Sequence, residues 1–597
     1  MKELLYPFDS RYILKNRKKI RKELLSDGSE RIRKKIAVLA GSTTDEIVNV
    51  LDLFLLSNGI EAEFYKSEYN KYWEDAMFGN EELQSFSPDL IYIHTTSRNL
   101  SFFEFDMSMD KAQADEMLER QYGHFEGMWN RLSEVYNCPV IQNNFEQPFY
   151  RTLGNRDAWD FHGRVNFINR LNTLFCGYAQ EHDNFYINDI NYISAQYGLK
   201  EWSDPKYWYM YKYAMCMQAI PEFSYNLGNI IKSVFGKNRK ALALDLDNTL
   251  WGGVIGDDTV SGIEIGHETA SAEAYHAFQT YIKEQTGIGV MLTVASKNDE
   301  ENALEGLNHP DGVLRPDDFV SIKANWEPKN INIAQSAEEI GILPESFVFM
   351  DDNPVEREIV RSQLNICAPE IECPEEYIRV LDRNGFFETT IFSKDDIARN
   401  DMYKANIRRT QSEAKFESYK DFLLSLEMEA VIERFSPVYL QRITQLTNKS
   451  NQFNVTTKRY TQSEIEEISK SNEYIPIYGR LEDKFGDNGV VSVVIGRITG
   501  SELHIDLWLM SCRVLKRDME FAMLDSLVSE CRKRNITTIY GYYYRTKKNN
   551  MVSTLFEQFG FESLSLEENG DSRWKLDTAD YTNKNEVIKI KEKEEAV

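Results

Sequence analysis

Short apolar segments, most of them ending in polar residues, alternate with helix-length segments through the first two thirds of this sequence. The early apolar segments are KIAVLA, AEFYK, DLIYIHT, PVIQNN and NFYIND. The pattern starts again further along the chain with ALALDLDNTL, GVMLTVAS, FVSIKAN and SFVFMDDN. Strands that alternate with helices favour a parallel sheet that is covered by helices on both faces. The pattern therefore predicts a multidomain α/β fold with two such sheets.

The chain has 597 residues, which is too long for a single hydrophobic core, and its patterns divide it into six segments. The predicted segments are a helical start (1–35), an α/β domain (36–235), a second α/β domain (238–395), a helical linker (396–426), a third domain that mixes strands and helices (427–576) and a charged, solvated tail (577–597).

The composition narrows the class of protein. The net charge of −26 disfavours non-specific binding of nucleic acid, although the basic stretch KNRKKIRKELL could form an arm as well as a solvated helix. Seven scattered cysteines without a CxxC pair indicate neither a disulfide framework nor a zinc site. No segment has the apolar run of a signal peptide or of a membrane helix. We expect a cytoplasmic protein without nucleic-acid or membrane partners.

The peptide ALALDLDNTL is the strongest chemical signal. Its apolar strand leads to Asp245 and Asp247 at the carboxyl edge, where open α/β sheets bind ligands, and Thr249 follows as a candidate substrate-binding residue. Two neighbouring carboxylates repel each other, so Mg²⁺ is the natural neutralising ion. One carboxylate could then attack phosphorus while the other moves protons. Taken alone, the pair is equally consistent with an ordinary polar strand end.

Three further strand ends supply the other groups that phosphoryl transfer needs. Ser296 and Asn298, in VASKND, could donate hydrogen bonds to phosphoryl oxygens. Lys329, in NWEPKN, could offset the charge of the transferring group. Asp351 and Asp352, in FVFMDDN, supply the acidic pair of a magnesium site. The four motifs together predict a phosphoryl-transfer centre.

In this order the motifs resemble the haloacid dehalogenase superfamily of aspartate-based phosphotransferases. The longer strings LDLDNTLWGGVIGDD, SKND, NWEPKN and FVFMDDNPVERE resemble its FkbH-like branch (subfamily IIIC), and NKSNQFNVTTKRY and LWLMSCRVLKR extend that resemblance over most of the chain. The resemblance implies an SGNH-hydrolase-like domain before the phosphatase domain and a GNAT-like acyltransferase domain after it.

The resemblance also implies roles for individual residues. Asp245 would become an aspartyl phosphate, and Asp247 would protonate the leaving group and then activate water. Ser296 and Lys329 would hold the phosphoryl group. The magnesium ligands would be Asp245, Asp351 and Asp352, together with the backbone carbonyl of Asp247. Fewer than fifty residues separate Thr249 from Ser296, which leaves little room for a large cap domain.

The third domain departs from the usual GNAT pattern in its coenzyme A loop. That loop has two glycines whose free amides bind pyrophosphate at a helix N-terminus. In the string RVLKRD here, Lys516 and Asp518 occupy both glycine positions. A Cβ restricts close approach of a ligand, and an aspartate repels pyrophosphate. We therefore expect poor binding of coenzyme A, whereas the arm of a carrier protein has no pyrophosphate at that position.

A thiol at the end of the long GNAT-like strand is a candidate for acyl transfer. Cys512 lies next to Arg513, which could stabilise the thiolate and bind substrate. From the residues alone, a buried structural cysteine is somewhat favoured; the family resemblance favours an acyl-enzyme. Asn451, Gln452 and Asn454 could line the substrate pocket, and a polar loop would explain them nearly as well.

In the first α/β domain, Ser42 follows a strand, as the nucleophile of an SGNH hydrolase does. That chemistry also needs a D-x-x-H pair late in the domain. The nearest string, DPKY, has Tyr207 where histidine is required. We therefore expect this domain to bind a partner rather than to catalyse.

Together these features predict a bifunctional enzyme. Characterised members of the family take a glyceryl unit from 1,3-bisphosphoglycerate, remove its phosphate and load it on the phosphopantetheine thiol of an acyl carrier protein. Two alternatives stay open: a plain Mg²⁺-dependent phosphatase with flanking binding domains, and a non-enzymatic scaffold that binds carrier protein. The intact set of phosphatase motifs disfavours the scaffold.

Overall fold

A computed structural model of the chain describes residues 2–390, 392, 397, 399–413, 416–450 and 452–591. The described residues form two compact units. The first unit comprises the residues up to 237 together with 383–390, and the second comprises the others from 238 onward. The predicted multidomain α/β fold class is confirmed.

The first unit is built on a five-stranded parallel sheet with the strand order β2-β1-β3-β4-β5. Its strands are β1 (Ile32–Ala40), β2 (Ile60–Lys66), β3 (Leu90–His94), β4 (Val140–Asn143) and β5 (Phe185–Asn188). Its helices are α1 (Ser10–Ser26), α2 (Asp45–Ser57), α3 (Tyr72–Phe78), α4 (Glu81–Phe86), α5 (Lys111–Tyr136), α6 (Arg164–Glu181), α7 (Ile190–Tyr197), α8 (Leu199–Trp202), α9 (Pro205–Tyr211) and α10 (Ile220–Val234).

The basic N-terminal segment forms α1, which is part of this unit rather than a separate segment. Ile13, Ile20 and Leu24 are spaced along one face of α1 and are buried in the core. Arg21 donates to Asp52 of α2 at 2.7 Å (Nε to Oδ2). The first strand also begins at Ile32, so the boundary that the sequence suggested after residue 35 is a few residues too late.

Residues 383–390 also belong to the first unit, whereas the sequence assigned them to the second α/β domain. The side chain of Asn384 explains this placement because it is fully buried and therefore needs partners. Its Oδ1 accepts from the Tyr225 hydroxyl at 2.7 Å and from the backbone N–H of Tyr6 at 2.9 Å. Its Nδ2 donates to the carbonyl of Tyr6 at 2.8 Å. Such long-range hydrogen bonds leave no trace in a local sequence pattern.

The first part of the second unit, here called the central domain, is built on a four-stranded parallel sheet with the order β8-β7-β6-β9. Its strands are β6 (Ala241–Leu244), β7 (Met291–Ser296), β8 (Phe319–Ala324) and β9 (Phe347–Met350). Its helices are α11 (Ile255–Asp258), α12 (Ala270–Gly287), α13 (Glu300–Leu307), α14 (Lys329–Ile340), α15 (Pro354–Leu364) and α16 (Pro374–Arg383). Strands β6, β7 and β9 are buried throughout, as expected where helices cover both faces.

The rest of the second unit, the C-terminal domain, contains an eight-stranded sheet with the order β15-β16-β14-β13-β12-β11-β10-β17. Neighbouring strands are antiparallel except for the pairs β13/β14 and β10/β17. The strands are β10 (Glu429–Arg434), β11 (Tyr474–Asp483), β12 (Gly486–Thr499), β13 (Glu502–Met510), β14 (Thr538–Tyr543), β15 (Glu562–Leu566), β16 (Ser572–Asp577) and β17 (Lys589–Ile590). The helices are α17 (Arg399–Glu413), α18 (Tyr419–Ser425), α19 (Leu440–Lys449), α20 (Gln462–Lys470), α21 (Met519–Lys533) and α22 (Leu555–Gln558).

The predicted linker helix, α17, contacts both domains of the second unit. Asn400 Nδ2 donates to the carbonyls of Thr286 and Val290 in the central domain at 3.2 and 3.1 Å. Arg409 Nη2 donates to Asp483 Oδ1 at the end of β11 at 2.8 Å, and both side chains are buried. The helix is therefore a packed element and not a free spacer.

The predicted solvated tail is wrong for residues 577–591. Val587 and Ile588 are buried in the core of the C-terminal domain, and Lys589–Ile590 forms β17, which pairs with β10. Asp525 of α21 anchors the segment because its carboxylate accepts from the backbone N–H groups of Lys584 and Asn585. Burial of the apolar pair in this otherwise charged sequence stabilises the ordered end. Residues 592–597 lie outside the described residues.

Within the described part of the chain, no helix is both long enough and apolar enough to cross a lipid bilayer.

Truncation of Ile588 to alanine tests this correction. We expect Ile588→Ala to lower the free energy of unfolding by about 2–5 kcal/mol, because it leaves a cavity in a packed core. Ile590→Ala is the matched control: Ile590 is 39% exposed, and its change should stay within about 0.5 kcal/mol. Urea denaturation measures both, and equal effects would contradict the burial of this segment.

Candidate active site

The four chemical motifs of the central domain meet at one edge of its sheet. Asp245 follows β6, Ser296 ends β7 and Asp351 follows β9, and β6 lies between β7 and β9. The carboxyl ends of parallel strands lie at the same edge, so these side chains converge. Lys329 joins them as the first residue of α14, after the loop that follows β8.

Lys329 is the buried cation at the centre of the site. Its Nζ lies 2.9 Å from Asp245 Oδ2 and 2.6 Å from Asp351 Oδ2. The Lys329 side chain is only 5% exposed, and the two carboxylates are buried as well. Burial opposes the charge of Lys329, but the two carboxylates keep its pKa above the usual value. This amine therefore stays protonated at neutral pH.

Asp245, Asp351 and Asp352 crowd their negative charges into a small volume. One oxygen from each lies within 4.8 Å of the others, which is a donor set that suits a divalent cation. Burial, followed by the charge of Asp245, raises the pKa of Asp351 to about 7, and the same two causes raise that of Asp352. One lysine cannot balance three carboxylates, so the residues fit a bound metal ion.

The side chain of Asp247 is held by hydrogen bonds to three donors. Its Oδ1 accepts from Trp251 Nε1 at 2.9 Å and from the backbone N–H of Ile255 at 3.1 Å, and its Oδ2 accepts from Asn298 Nδ2 at 3.1 Å. The predicted contact of Asp247 with the metal is through its backbone carbonyl, and it stays a prediction. Burial raises the pKa of the carboxyl group, which favours a role in proton transfer. Asn298, predicted to bind a phosphoryl oxygen, orients Asp247.

Two residues fix the loop that contains Asp351 and Asp352. Thr249 Oγ1 accepts from the backbone N–H of Asp352 at 3.3 Å, so its hydroxyl supports the loop. Arg357 Nη1 donates to the carbonyls of Asp351 and Asp352 at 2.7 and 2.8 Å. Sequence reasoning missed Arg357 and also Trp251. Trp251 lies four residues after Asp247, and this i, i+4 spacing is a sequence signal from which its role could have been predicted.

The exposed indole of Trp326 belongs to the loop after β8, at the sheet edge that carries the site. Trp326 is 72% exposed, yet its Nε1 donates to Asp299 Oδ1 at 2.9 Å, which fixes the ring. Asp299 and Trp326 follow the adjacent ends of β7 and β8, close to Ser296 and Lys329. The segment between Thr249 and Ser296 forms only α11, α12 and short connections before β7, so it contains no large cap domain.

The structure describes the predicted acyl-transfer residues of the C-terminal domain only in part. Cys512 begins a short 3-10 helix after β13, but its side chain lies outside the described residues, as does Asn451. Arg513 is buried, and its guanidinium contacts the Ser511 hydroxyl and the Met402 sulfur. The prediction that Arg513 faces substrate is therefore not supported by its contacts.

The polar loop around residue 452 has a structural explanation, which was the alternative left open. Asn454 is fully buried, its Oδ1 accepts from the backbone N–H of Thr457 at 2.8 Å, and its carbonyl accepts from Asn549 Nδ2 at 2.9 Å. Gln452 is partly buried beside it. Asn454 thus holds this loop to the loop after β14.

The loop before α21 keeps a left-handed backbone without glycine. Lys516 has φ +63° and Asp518 has φ +61°, a region that L-residues rarely occupy. Arg517, between them, points inward: its Nη1 donates to Asp483 Oδ2 at 3.1 Å, and its guanidinium is buried. The helix N-terminus is therefore flanked by the Asp518 carboxylate, while the nearest guanidinium is already paired.

Comparisons with known proteins support the predicted family resemblance. Residues 35–232 match the family described as FkbH, N-terminal domain. The chain is 27% identical to a solved structure of the N-terminal part of the protein BF1531 from Bacteroides fragilis, which contains a phosphatase domain and is complexed with Mg; the alignment covers 63% of this chain and 99% of that chain, with a TM-score of 0.58. The similarity supports an FkbH-like protein of the haloacid dehalogenase superfamily.

The matches to solved acetyltransferase structures are weaker. An N-acetyltransferase from Staphylococcus aureus Mu50 aligns with 25% of this chain and 99% of that chain at 15% identity and a TM-score of 0.21. Ard1 from Thermoplasma volcanium aligns with 25% of this chain and 97% of that chain at 18% identity and a TM-score of 0.20. No curated protein matches the chain.

The loop before α21 leads to a prediction for coenzyme A. We expect acetyl-coenzyme A not to bind at micromolar concentrations, because the Asp518 carboxylate repels pyrophosphate and two Cβ atoms narrow the loop. Lys516→Gly combined with Asp518→Gly should raise the affinity in calorimetry. Asn535→Gly is the matched control, since it removes the side chain at another left-handed residue (φ +58°) without touching the loop. Micromolar binding by the unmodified protein would overturn this prediction.

Proposed function

We propose that the protein is a Mg²⁺-dependent phosphatase coupled to acyl transfer. It would remove phosphate from a phosphoglyceryl unit derived from 1,3-bisphosphoglycerate and load the glyceryl group on the phosphopantetheine thiol of an acyl carrier protein. The phosphatase part rests on one observation: three carboxylates and a buried lysine converge at one sheet edge. The transfer part rests on the sequence resemblance.

The central domain has the groups for a two-step phosphoryl transfer. An oxygen of Asp245 attacks phosphorus, and the bond from phosphorus to the leaving oxygen breaks while Asp247 donates a proton to that oxygen. Asp247 then takes a proton from a water molecule, which attacks the aspartyl phosphate and releases inorganic phosphate and free Asp245. The raised pKa of Asp247 suits both proton transfers.

Ser296 and Lys329 orient the phosphoryl group in this scheme. Lys329 lies within ion-pair distance of the nucleophile, so a phosphoryl oxygen near Asp245 would also meet its ammonium group. Asp245, Asp351 and Asp352 would hold Mg²⁺, which when bound offsets the negative charge of the phosphate. Arg357 and Thr249 hold the loop that contains Asp351 and Asp352 in position.

The lack of a large cap domain between Thr249 and Ser296 supports a bulky or protein-bound substrate. The exposed indole of Trp326, fixed by its hydrogen bond to Asp299, gives an apolar surface close to the site in the chain. An arm attached to a carrier protein could reach such a site from outside. The acyl group would pass through Cys512 in the C-terminal domain.

A plain phosphatase with flanking binding domains is the second candidate. It is favoured by the burial of Arg513, whose guanidinium contacts the Met402 sulfur. Mass spectrometry of a carrier protein incubated with the enzyme, Mg²⁺ and 1,3-bisphosphoglycerate separates the two functions. A glyceryl adduct on the carrier supports coupled transfer, and phosphate release without an adduct supports the plain phosphatase.

Replacement of the nucleophile tests the phosphatase. Asp245→Asn should lower phosphate release by roughly 10³-fold or more, because an amide cannot form the aspartyl phosphate. Chelation of Mg²⁺ should also abolish activity. Asp257→Asn, which changes an exposed carboxylate of the same domain, should have little effect. Near-normal phosphate release by Asp245→Asn would rule out the assigned nucleophile.

Replacement of Cys512 tests the transfer step. Cys512→Ser should stop loading of the carrier protein while hydrolysis of a simple phosphate ester stays nearly unchanged, because the two nucleophiles lie in different domains. Cys531→Ser is the matched control, since Cys531 is fully buried in α21. Incubation with donor but no carrier should add an acyl mass to the peptide that contains Cys512. Normal loading by Cys512→Ser would show that the donor reaches the pantetheine thiol directly.

A further inference from the structure

The two carboxyl oxygens of Asp247 have unequal surroundings. Oδ1 accepts two hydrogen bonds, from Trp251 Nε1 at 2.9 Å and from the backbone N–H of Ile255 at 3.1 Å. Oδ2 accepts one, from Asn298 Nδ2 at 3.1 Å. Each carboxylate oxygen has two lone pairs, so these three donors from the described residues use both lone pairs of Oδ1 and one of Oδ2. A proton on this carboxyl group therefore belongs on Oδ2.

The two side chains that donate to Asp247 are fixed by their surroundings. Trp251 is fully buried, so its indole is packed in one orientation. Asn298 is also buried, and its Oδ1 accepts from the backbone N–H of Asp299 at 3.0 Å. This hydrogen bond directs the Nδ2 of the same amide toward Asp247. Asp247 itself is partly exposed, so a substrate can reach its carboxyl group.

The turn that connects Asp247 with Trp251 is held by two tyrosines. The carbonyl of Asn248 accepts from the hydroxyl of Tyr377 at 3.0 Å and from that of Tyr275 at 3.3 Å. The backbone at Asn248 is left-handed, with φ +54°, which starts the turn that brings the indole back to the carboxyl group. Both ends of the hydrogen bond between Trp251 and Asp247 are therefore anchored.

Helix α13 packs directly against the donors to Oδ1. A Cβ at Gly306 would lie 2.7 Å from Trp251 Cη2 and 2.8 Å from Ile255 Cδ1, which is too close for unbonded carbon atoms. Glycine inside a helix is otherwise less favourable than alanine. The glycine thus allows an approach that any side chain would prevent, and the two residues it touches are those that donate to Asp247 Oδ1.

We propose that Trp251 is a positioning residue which, together with Asn298, holds Asp247 so that Oδ2 gives the proton to the leaving group, and that the site is thereby specialised for phosphate esters of aliphatic alcohols. This inference rests on the phosphatase proposed above. As a bond forms from Asp245 to phosphorus, the bond from phosphorus to the alcohol oxygen breaks, and that oxygen takes the proton of Oδ2 and leaves as the alcohol. An alkoxide is a strong base and needs this proton, whereas a nitrophenolate leaves without it.

The dependence of the rate on the leaving group tests this role. The full-length protein with Mg²⁺ is assayed with p-nitrophenyl phosphate, phenyl phosphate and glycerol 3-phosphate, whose leaving groups become more basic in that order. The ratio kcat/KM is compared, because it covers the steps up to departure of the leaving group and not the later hydrolysis of the aspartyl phosphate. We expect Trp251→Phe to lower kcat/KM for glycerol 3-phosphate by about tenfold or more, and for p-nitrophenyl phosphate by less than about threefold.

Gly306→Ala gives a second variant that removes no hydrogen-bond donor. Its Cβ would press on Trp251 and Ile255 and move both donors, so we expect the same dependence on the leaving group. Gly287→Ala is the matched control in the same domain, because a Cβ at that helical position would meet nothing within 4 Å. It should leave kcat/KM unchanged for all three substrates.

A control for the loss of a buried indole N–H is available in the first unit. Trp129 is buried, and its Nε1 donates to Gln142 Oε1 at 3.0 Å, so Trp129→Phe should leave all three values of kcat/KM unchanged. A fall of kcat/KM in Trp251→Phe that is equal for the three substrates, or no fall, would overturn the proposal, since a purely structural role affects all substrates alike. Failure of the proposed phosphatase itself gives a different result, which is phosphate release that survives Asp245→Asn.

Discussion

Crowding of three carboxylates around one ammonium group is the constraint on which the central domain depends. Lys329 pairs with Asp245 and Asp351, and Asp352 adds a third negative charge within 4.8 Å. Such a concentration of charge is unfavourable in a buried place unless a cation completes it. The same excess of negative charge gives this sheet edge affinity for a metal ion and, with that ion, for phosphate.

Much of this edge could be predicted from the sequence because the information is local. Each chemical residue follows an apolar run, and parallel strands bring such ends together whatever the details of packing. The direction of a side chain is not local. One oxygen of Asp247 accepts from Asn298, a donor that lies 51 residues further along the chain, so the full set of its partners could not be read from the local sequence. Helix α17 was expected as a spacer for the same reason, since its partners are distant in the chain.

The first unit shows the limit of pattern matching more clearly. The string DPKY lacks a histidine, and the sequence therefore favoured a binding module. A histidine from another strand, His94, nevertheless lies 2.9 Å from the Ser42 hydroxyl (Nε2 to Oγ), and no spacing rule connects these two residues. Similarly, the burial of Ile588 depends on the hydrophobic core of the C-terminal domain and not on the charged composition around it. Composition describes a segment, whereas burial depends on its neighbours.

The contacts of α17 determine where this chain can be divided into working pieces. A C-terminal fragment that starts at residue 427 would lack Arg409. The buried carboxylate of Asp483 would then keep only one of these two guanidinium partners, Arg517. A fragment of the central domain that stops at residue 395 would lack Asn400 and leave the carbonyls of Thr286 and Val290 without its amide. Both domains therefore depend on contacts with helix α17, and a fragment that is to fold as either domain alone has to include this helix.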